Sequence, residues 1–419
     1  MNRPVSLAEK SQKIGILPVI SFYITSIIGA GILVVPSIAN HITGPSSVFA
    51  WILLAFASYP FAITFANISI EFPENSGIFD FLEKGFGRAV SSSLNFLFLI
   101  SHFIGNPVIG IAAARYLLRT IGSNNDSLLY PIAFGFMCLS ISFNALGIKL
   151  SSIIQTALLC LLVLSLFFVI GSAVPHARIQ APSAYFPNGF SAFLEALVIC
   201  FFSFIGWENV SMIAGEIEDP KRTFRKAIPI AIFLISALYL LIAFAVAFVL
   251  PGLQDSSNYT LFSDLIRISY GEAGARIGSL VAVLLLFLSL NAWVMGASRS
   301  FQIAAKRGIA PRVFSKLDKR NTPLAALVGL TLPYIAVFWF LISQNLDEKP
   351  LIKMVNCNVL IIFVFVFLTA FLRLDQLLNR AWSLISFCIS TFLVISCGWT
   401  TAYSVIIIAL SYAWIRFKK

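Results

Sequence analysis

Charged side chains are scarce in this sequence. Only 11% of its 419 residues are Asp, Glu, Lys or Arg, whereas 59% are hydrophobic, and the mean hydropathy is +0.91. Soluble globular domains carry about 25% charged residues, so the composition excludes an ordinary soluble protein. Several apolar runs reach about 18 residues or more, a length that crosses a bilayer as a helix. The sequence therefore predicts an all-α polytopic membrane protein.

Histidine and cysteine are too few and too scattered for the sites they usually build. The three histidines stand at positions 41, 102 and 176, and the six cysteines show no paired spacing. This pattern supports neither a disulfide framework nor a zinc site. It also lacks the cluster of His, Asp or Glu that a membrane enzyme needs and the polar rings of a channel. We expect no catalytic residue, no metal and no cofactor.

Basic residues outnumber acidic ones by 29 to 18, which gives a net charge of +11. Most of them fall in segments predicted to face one side of the membrane, and that bias marks the cytoplasmic side. The charge therefore indicates topology, with both termini cytoplasmic, rather than a nucleic-acid partner. The opening MNRPVSLAEKSQKIG lacks the short apolar core and cleavage site of a removable signal peptide.

Apolar runs separated by polar turns predict twelve transmembrane helices. They divide the chain into an N-terminal tail (1–16), a ten-helix core (17–373) and two additional C-terminal helices with a short tail (374–419). The predicted spans are 17–39, 47–70, 94–118, 129–147, 152–173, 191–214, 228–250, 275–300, 323–344, 352–373, 381–397 and 399–416.

Two of these spans carry signs of interruption. Gly29–Gly31 lies near the middle of the first, and Gly206 lies in the sixth, two residues before Glu208. Glycine weakens a helix and lets other groups approach the backbone, although either site alone could serve helix packing. Spans one and six are five apart and so cross in opposite directions. This arrangement predicts two inverted five-helix repeats with a ligand held between broken helices.

Four segments resemble the amino acid–polyamine–organocation (APC) superfamily of permeases, and within it the bacterial arginine/agmatine antiporter and related amino acid exporters. The resemblance runs from about residue 14 to about residue 320. It implies a LeuT-type 5+5 inverted repeat with broken helices 1 and 6, in the bacterial cytoplasmic (inner) membrane and often as a homodimer. The segments are IIGAGILVVPSIA, FPENSGIFDFLEKGFG, SFIGWENVSMIAGEIEDPKRTFRKAI and ASRSFQIAAKRGIAPRVF.

The chemistry of an amino acid and the resemblance together predict a substrate site at the two breaks. N–H groups at the start of the half-helix after the first break suit a carboxylate, and carbonyls freed at the second break suit an ammonium. The helix-break residues are Gly29, Gly31 and Gly206. The predicted substrate-binding residues are Ile27, Ala30, Gly31, Ser101, His102, Asn106, Phe202, Ile205, Trp293 and Cys357.

Some of these positions depart from the antiporter in ways that bear on the substrate. The resemblance implies that Trp293 stacks on the substrate side chain, while Phe202 replaces a tryptophan that covers the site and Ala30 replaces a hydroxyl. Phenylalanine gives a weaker cation–π contact than tryptophan, which favours a substrate other than arginine or agmatine. His102 is a candidate specificity residue. Ordinary packing is the alternative for each of these side chains.

Glu208 is the candidate for proton coupling. A carboxylate at membrane depth marks a functional site by default, and the resemblance places a proton-sensing glutamate here. The alternative is that Glu208 anchors the break by accepting backbone N–H groups. Proton-coupled relatives carry a lysine in span five where this chain has Leu162. That difference favours exchange, or coupling through Glu208, over sodium-driven uptake.

The leading prediction is a secondary active transporter of amino acids or related amines that works by alternating access, through antiport or export. Its expected partners are the substrate, membrane lipid and protons. A proton-coupled uptake permease stays open as an alternative. A non-transporting receptor or subunit that binds amino acids also stays open, because a binding site alone would serve both.

Overall fold

Helices make up almost all of the chain that the computed structural model describes, which comprises residues 15–72, 77–123, 125–146, 152–173, 175, 186–212, 217–249, 259–318 and 322–417. Residues 1–14 of the predicted tail, and 73–76 of the second motif, lie outside these ranges. The helices are α1 (Ile16–Ile27), α2 (Ala30–Thr43), α3 (Ser47–Glu71), α4 (Ile78–Ile121), α5 (Leu129–Ala145), α6 (Ser152–Ala173), α7 (Gly189–Phe201), α8 (Pro220–Val249), α9 (Leu261–Lys306), α10 (Leu324–Gly329), α11 (Thr331–Gln344), α12 (Lys349–Arg373), α13 (Leu377–Ser396) and α14 (Thr400–Phe417).

The twelve predicted spans all correspond to helices. Within the described ranges, ten helical stretches are long and apolar enough to cross a membrane, and one of them holds both α2 and α3. The first span consists of α1 and α2, and the ninth of α10 and α11. Exposed leucine, isoleucine and phenylalanine side chains are frequent on the outer helices, as expected for surfaces that face lipid. The chain is an integral membrane protein.

The inverted repeat is visible in the third helix of each five-span unit. α4 has 44 residues and α9 has 46, and the two pack closely on each other. Each begins with a short helix that bends sharply at a glycine of positive φ, Gly87 in α4 (+79°) and Gly271 in α9 (+62°). Both helices therefore start well before the predicted spans at 94 and 275. A glycine that bends a helix does not lower local hydropathy enough for the sequence to reveal it.

Both predicted interruptions are present. α1 ends at Ile27 and α2 begins at Ala30, with Ile28 in an extended conformation between them. α7 ends at Phe201, a 3-10 turn covers Phe202–Phe204, and Ile205 is extended before a second 3-10 segment begins. The fold class predicted from the sequence, an inverted repeat with broken helices 1 and 6, is therefore confirmed.

The two C-terminal helices lie on the outside of the ten-span core. α13 packs on α3 and α12, and α14 packs on α4 and α12. The hydroxyls of Thr64 and Ser386 approach to 3.2 Å across the contact between α3 and α13. Few side chains of α13 and α14 are buried, and neither helix lines the cavities described next.

Candidate substrate site

The two helix breaks are in direct contact with each other. Gly206 has a φ of +136°, which side chains rarely adopt, and a Cβ there would lie 2.6 Å from the Ser26 carbonyl oxygen. A real Cβ cannot come so close to backbone. Glycine at 206 is thus required both by its own dihedral angles and by the approach of α1.

Gly31 has a different role from the one its position in the motif indicates. It lies inside the first turn of α2 rather than at the break, which is formed by Ile28 and Gly29. A Cβ on Gly31 would lie 2.6 Å from Ser203 Oγ and 3.0 Å from Ser203 Cα. Gly31 therefore lets α2 pack against the 3-10 turn of the second break.

A tyrosine that the sequence analysis did not single out joins the two breaks. The buried Tyr239 hydroxyl donates to the Ile27 carbonyl oxygen (3.0 Å) and lies 2.7 Å from the Ser203 carbonyl oxygen. Its ring packs between Trp51 (5.0 Å) and Phe204 (5.1 Å). The signal available in the sequence is a tyrosine within the mainly apolar part of α8 that follows Lys226.

The start of α2 is suited to hold an anion. A helix leaves its first N–H groups without partners inside the helix, and no side chain caps α2 at Gly29. The partial positive charge of the helix end adds to this. Gly29, Ala30 and Gly31 line the cavity described next, so these N–H groups belong to its wall.

A cavity of about 560 Å³ begins at the breaks. It extends towards the face of the protein where α1 begins and α9 ends, and Arg299 lies at that end. Leu162, which stands where proton-coupled relatives have a lysine, also lines it. Six of the predicted substrate-binding residues line this cavity, namely Ile27, Ala30, Gly31, Phe202, Ile205 and Trp293.

A second, much smaller cavity of about 20 Å³ adjoins the first and shares Phe202, Ile205 and Trp293 with it. It brings in the three predicted residues of α4, which are Ser101, His102 and Asn106. The His102 ring lies 5.6 Å from the Trp293 ring. Nine of the ten predicted substrate-binding residues thus lie around two neighbouring cavities.

Cys357 is the predicted residue that the structure places elsewhere. Its Sγ lies 3.8 Å from Thr401 Oγ1, at the contact of α12 with α14, and it lines neither cavity. Val355 and Val359 of the same helix face the small cavity instead. α12 therefore lines the small cavity, but Cys357 lies on a different side of this helix from Val355 and Val359.

Glu208 is turned towards the backbone of the break. Its Oε2 accepts a hydrogen bond from the Gly206 N–H at 2.9 Å, and the side chain is buried. It lines neither cavity. The structure therefore gives Glu208 an anchoring contact, which leaves a part in proton exchange as a prediction.

Comparison with known proteins matches almost the entire chain to one family. A family model described as amino acid permease covers residues 14–417. The chain belongs to this permease family. It is therefore a member of the APC superfamily, a group of transporters and not of enzymes.

Curated relatives align with most of the permease, at low identity. The uncharacterized amino acid permease YecA of Bacillus subtilis is 26% identical, over 94% of this chain and 93% of YecA. The L-methionine/branched-chain amino acid exporter YjeH of Escherichia coli is 25% identical, over 95% and 94%. An arginine/ornithine antiporter of Latilactobacillus sakei is 24% identical, over 79% and 73%.

The fold also matches a solved structure. MhsT, crystallised in complex with L-phenylalanine, superposes with a TM-score of 0.60 over 94% of this chain and 100% of MhsT. The sequence identity is 14%, so the match bears on the fold alone. It places the permease in the LeuT-type fold.

Two asparagines that the sequence analysis passed over form a polar part of the large cavity's wall. Asn144 Nδ2 donates to Asn291 Oδ1 (2.9 Å) and to the Asn291 carbonyl oxygen (3.1 Å). Both residues line the cavity. Asparagine inside an apolar span was the available signal, since polar groups at membrane depth need partners.

The opposite face of the permease is closed by charged and aromatic groups. Arg115 of α4 forms a two-point ion pair with the buried Glu348 at the start of α12, with distances of 2.8 and 3.2 Å. The Arg115 guanidinium and the Lys349 ammonium both lie over the Tyr259 ring, at 5.4 and 5.5 Å. This cluster joins α4, α12 and the segment before α9 on the side away from Arg299.

Proposed function

We propose that the permease is a secondary active transporter that moves amino acids or related amines by alternating access. The observation that supports this most is the pair of touching helix breaks, which line one cavity of about 560 Å³. The uncapped start of α2 would bind the carboxylate, and carbonyls at the second break would bind the ammonium. Tyr239 would keep the two breaks at a fixed separation while substrate binds.

The conformation fits one half of such a cycle. The cavity would open towards the face where α1 begins, and the contacts among Arg115, Glu348 and Tyr259 would keep the other face closed. We propose that both termini are cytoplasmic, as the basic residues favour. The cavity would then face the cytoplasm of a bacterial cell, with residues 17–373 as the transport core. Association as a homodimer is part of the same proposal.

Antiport or export is the favoured mode. Leu162 gives the cavity an apolar wall where proton-coupled relatives have an amine, and YjeH and the arginine/ornithine antiporter are named for export and exchange. Proton-coupled uptake is the second candidate. It is supported by one observation, the burial of the Glu208 carboxylate beside the break.

Counterflow in proteoliposomes tests the proposal. Vesicles that contain the purified permease are preloaded with a high concentration of one unlabelled amino acid and then diluted into a trace of the same amino acid in labelled form. A transporter would accumulate label transiently, and vesicles without protein would not. A receptor or subunit that only binds would show saturable binding without accumulation. Absence of flux with every amino acid and amine tried would overturn the proposal.

A further inference from the structure

The space beside the helix breaks has the composition of a side-chain pocket. If the substrate's carboxylate lies at the start of α2, its side chain extends between Phe202 and Trp293 towards α4 and α12, where the small cavity lies. We infer that this pocket selects neutral, apolar amino acid side chains and rejects charged ones. The inference rests on the proposed transport function and gives it a substrate class.

Hydrocarbon forms most of the pocket wall. Phe98, Ile109, Val355 and Val359 contribute apolar surface in addition to the two shared aromatic residues. Phe98 packs edge-on against His102 with ring centroids 4.8 Å apart, so the histidine is held between Phe98 and Trp293. An apolar side chain buried here would be stabilised in proportion to the area it removes from water.

An acidic side chain that could pair with a cationic substrate is missing from the described lining of the pocket. Among the described residues that line the two cavities there is no aspartate or glutamate. Glu208 accepts from the Gly206 N–H instead of facing the pocket. Arg299, which lines the large cavity, has the wrong sign to pair with a cationic substrate.

Stacking on the aromatic rings would not replace a missing carboxylate. A guanidinium can bind the face of Trp293 or Phe202 by a cation–π contact. Transfer of an isolated charge out of water costs more than such a contact returns unless the charge is also paired. The structure therefore argues against arginine, lysine and agmatine as substrates.

The polar groups of the pocket are mostly engaged by the protein. Ser101 Oγ donates to the Leu97 carbonyl oxygen (3.0 Å), and Asn106 Nδ2 donates to the Tyr334 hydroxyl (2.8 Å). Asn106 Oδ1 is buried, and the described part of the chain gives it no hydrogen-bond donor. One acceptor at the pocket edge suits the substrate ammonium.

Competition in the counterflow assay tests the substrate class. Leucine, isoleucine, methionine and phenylalanine should inhibit entry of labelled leucine at concentrations at least tenfold below those of arginine, lysine, agmatine and glutamate. Inhibition by a charged compound at the same concentration as leucine would overturn the inference.

Calorimetry on the purified permease separates the substrate class from the transport function, because it measures binding without flux. If leucine binds but no flux occurs, the transport function is overturned and the assignment of the pocket stands. If no apolar amino acid binds, the assignment of the pocket is overturned.

A designed carboxylate provides a matched test. Val355→Asp places a negative charge in the pocket, and Val355→Asn places a neutral side chain of the same shape. The ratio of leucine affinity to lysine affinity should be at least tenfold lower in the aspartate variant than in the asparagine variant. If the two variants show the same ratio, the pocket does not receive the substrate side chain. The asparagine variant also reports whether a polar group at 355 is tolerated by the fold.

Discussion

Trp293 lies where the two cavities meet and is half-buried between them. Its ring is close to His102 and opposite the second break, so a substrate side chain at the breaks would lie against it. A pair of aromatic rings contributes about 0.5–1.5 kcal/mol beyond the area it buries, and an aliphatic side chain gains about 25 cal/mol for each Å² it buries against the ring. Because Trp293 is only half-buried, we expect removal of its ring to weaken substrate binding more than it lowers the stability of the fold.

Trp293→Leu should weaken substrate affinity by about three- to tenfold, since 1.4 kcal/mol corresponds to about a factor of ten. Isothermal calorimetry measures this directly. Trp339→Leu is the control, because Trp339 is 69% exposed on α11 and faces away from the cavities. Equal affinities in the wild-type and Trp293→Leu proteins would remove the residue from the site.

The substitution Glu208→Gln distinguishes two roles for this side chain, which are a hydrogen bond to the backbone of the second break and proton exchange during transport. Glutamine keeps a carbonyl oxygen that can accept from the Gly206 N–H, but it cannot bind and release a proton. We expect folding to be retained and the dependence of exchange rate on pH to become flat. Glu195→Gln is the control, since Glu195 pairs with Lys353 and is 41% exposed. An unchanged pH profile in Glu208→Gln would assign Glu208 to structure alone.

The residues that a local backbone feature or the resemblance singled out mostly lie around the two cavities. Gly206 was predicted because its helix breaks, and the structure adds the reason, a carbonyl 2.6 Å from the missing Cβ. Tyr239 was missed because its partners are carbonyls of α1 and of the second break, and only the tertiary fold brings these together. Cys357 lies on a helix that lines the small cavity, but its side chain contacts α14 instead, and this orientation is also set by the tertiary fold.

At the scale of elements, the two breaks act as one unit because α8 holds them together. Tyr239 supplies the hydrogen bond, and Trp51 and Phe204 fix its ring. A buried carbonyl that loses its donor carries a penalty of about 1–3 kcal/mol. The separation of the breaks, and hence of the substrate's carboxylate and ammonium sites, therefore depends on this hydroxyl.

Tyr239→Phe should lower both the melting temperature and the substrate affinity, because the Ile27 and Ser203 carbonyls lose a shared donor. The measurement that distinguishes positioning from stability is the rise in melting temperature on adding saturating substrate. This rise should be smaller in Tyr239→Phe than in the wild-type protein. Tyr270→Phe is a suitable control, since Tyr270 is 52% exposed and stacks on Phe168. A full substrate-induced rise in Tyr239→Phe would contradict a role for the bridge in positioning the breaks.

The ends of helices could be predicted where the hydropathy of the sequence changes, but not where the backbone bends at a single residue. Spans four and five begin at the predicted residues, 129 and 152. The early starts of α4 and α9 were not predicted, because charged residues on both sides of Gly87 and Gly271 make the short helices before them look like connecting loops. Their matching bends are the clearest structural sign of the inverted repeat.

At the scale of the whole molecule, the permease is closed on one face by a buried ion pair and has a cavity at the other. The Arg115–Glu348 pair is 13% and 1% exposed, whereas the Lys353–Glu195 pair is 19% and 41% exposed. Breaking a buried pair costs about 3–5 kcal/mol, and an exposed pair contributes about 0–1 kcal/mol. The first pair should therefore control how easily the closed face opens.

Glu348→Gln should destabilise the present conformation much more than Glu195→Gln, because it leaves the Arg115 charge buried without its partner. Thermal melting in detergent measures the difference. Replacing both members of the buried pair, in Arg115→Met with Glu348→Met, should recover part of the loss. Equal melting temperatures for Glu348→Gln and Glu195→Gln would show that the closed face does not depend on the buried pair.

A map of the permease with bound leucine, determined by cryo-electron microscopy, tests most directly the claim that the paired breaks hold an amino acid. We expect the carboxylate within hydrogen-bond distance of the Ala30 or Gly31 N–H, and the side chain between Phe202 and Trp293. Leucine density elsewhere in the protein, or continuous first and sixth helices in the map, would contradict the claim.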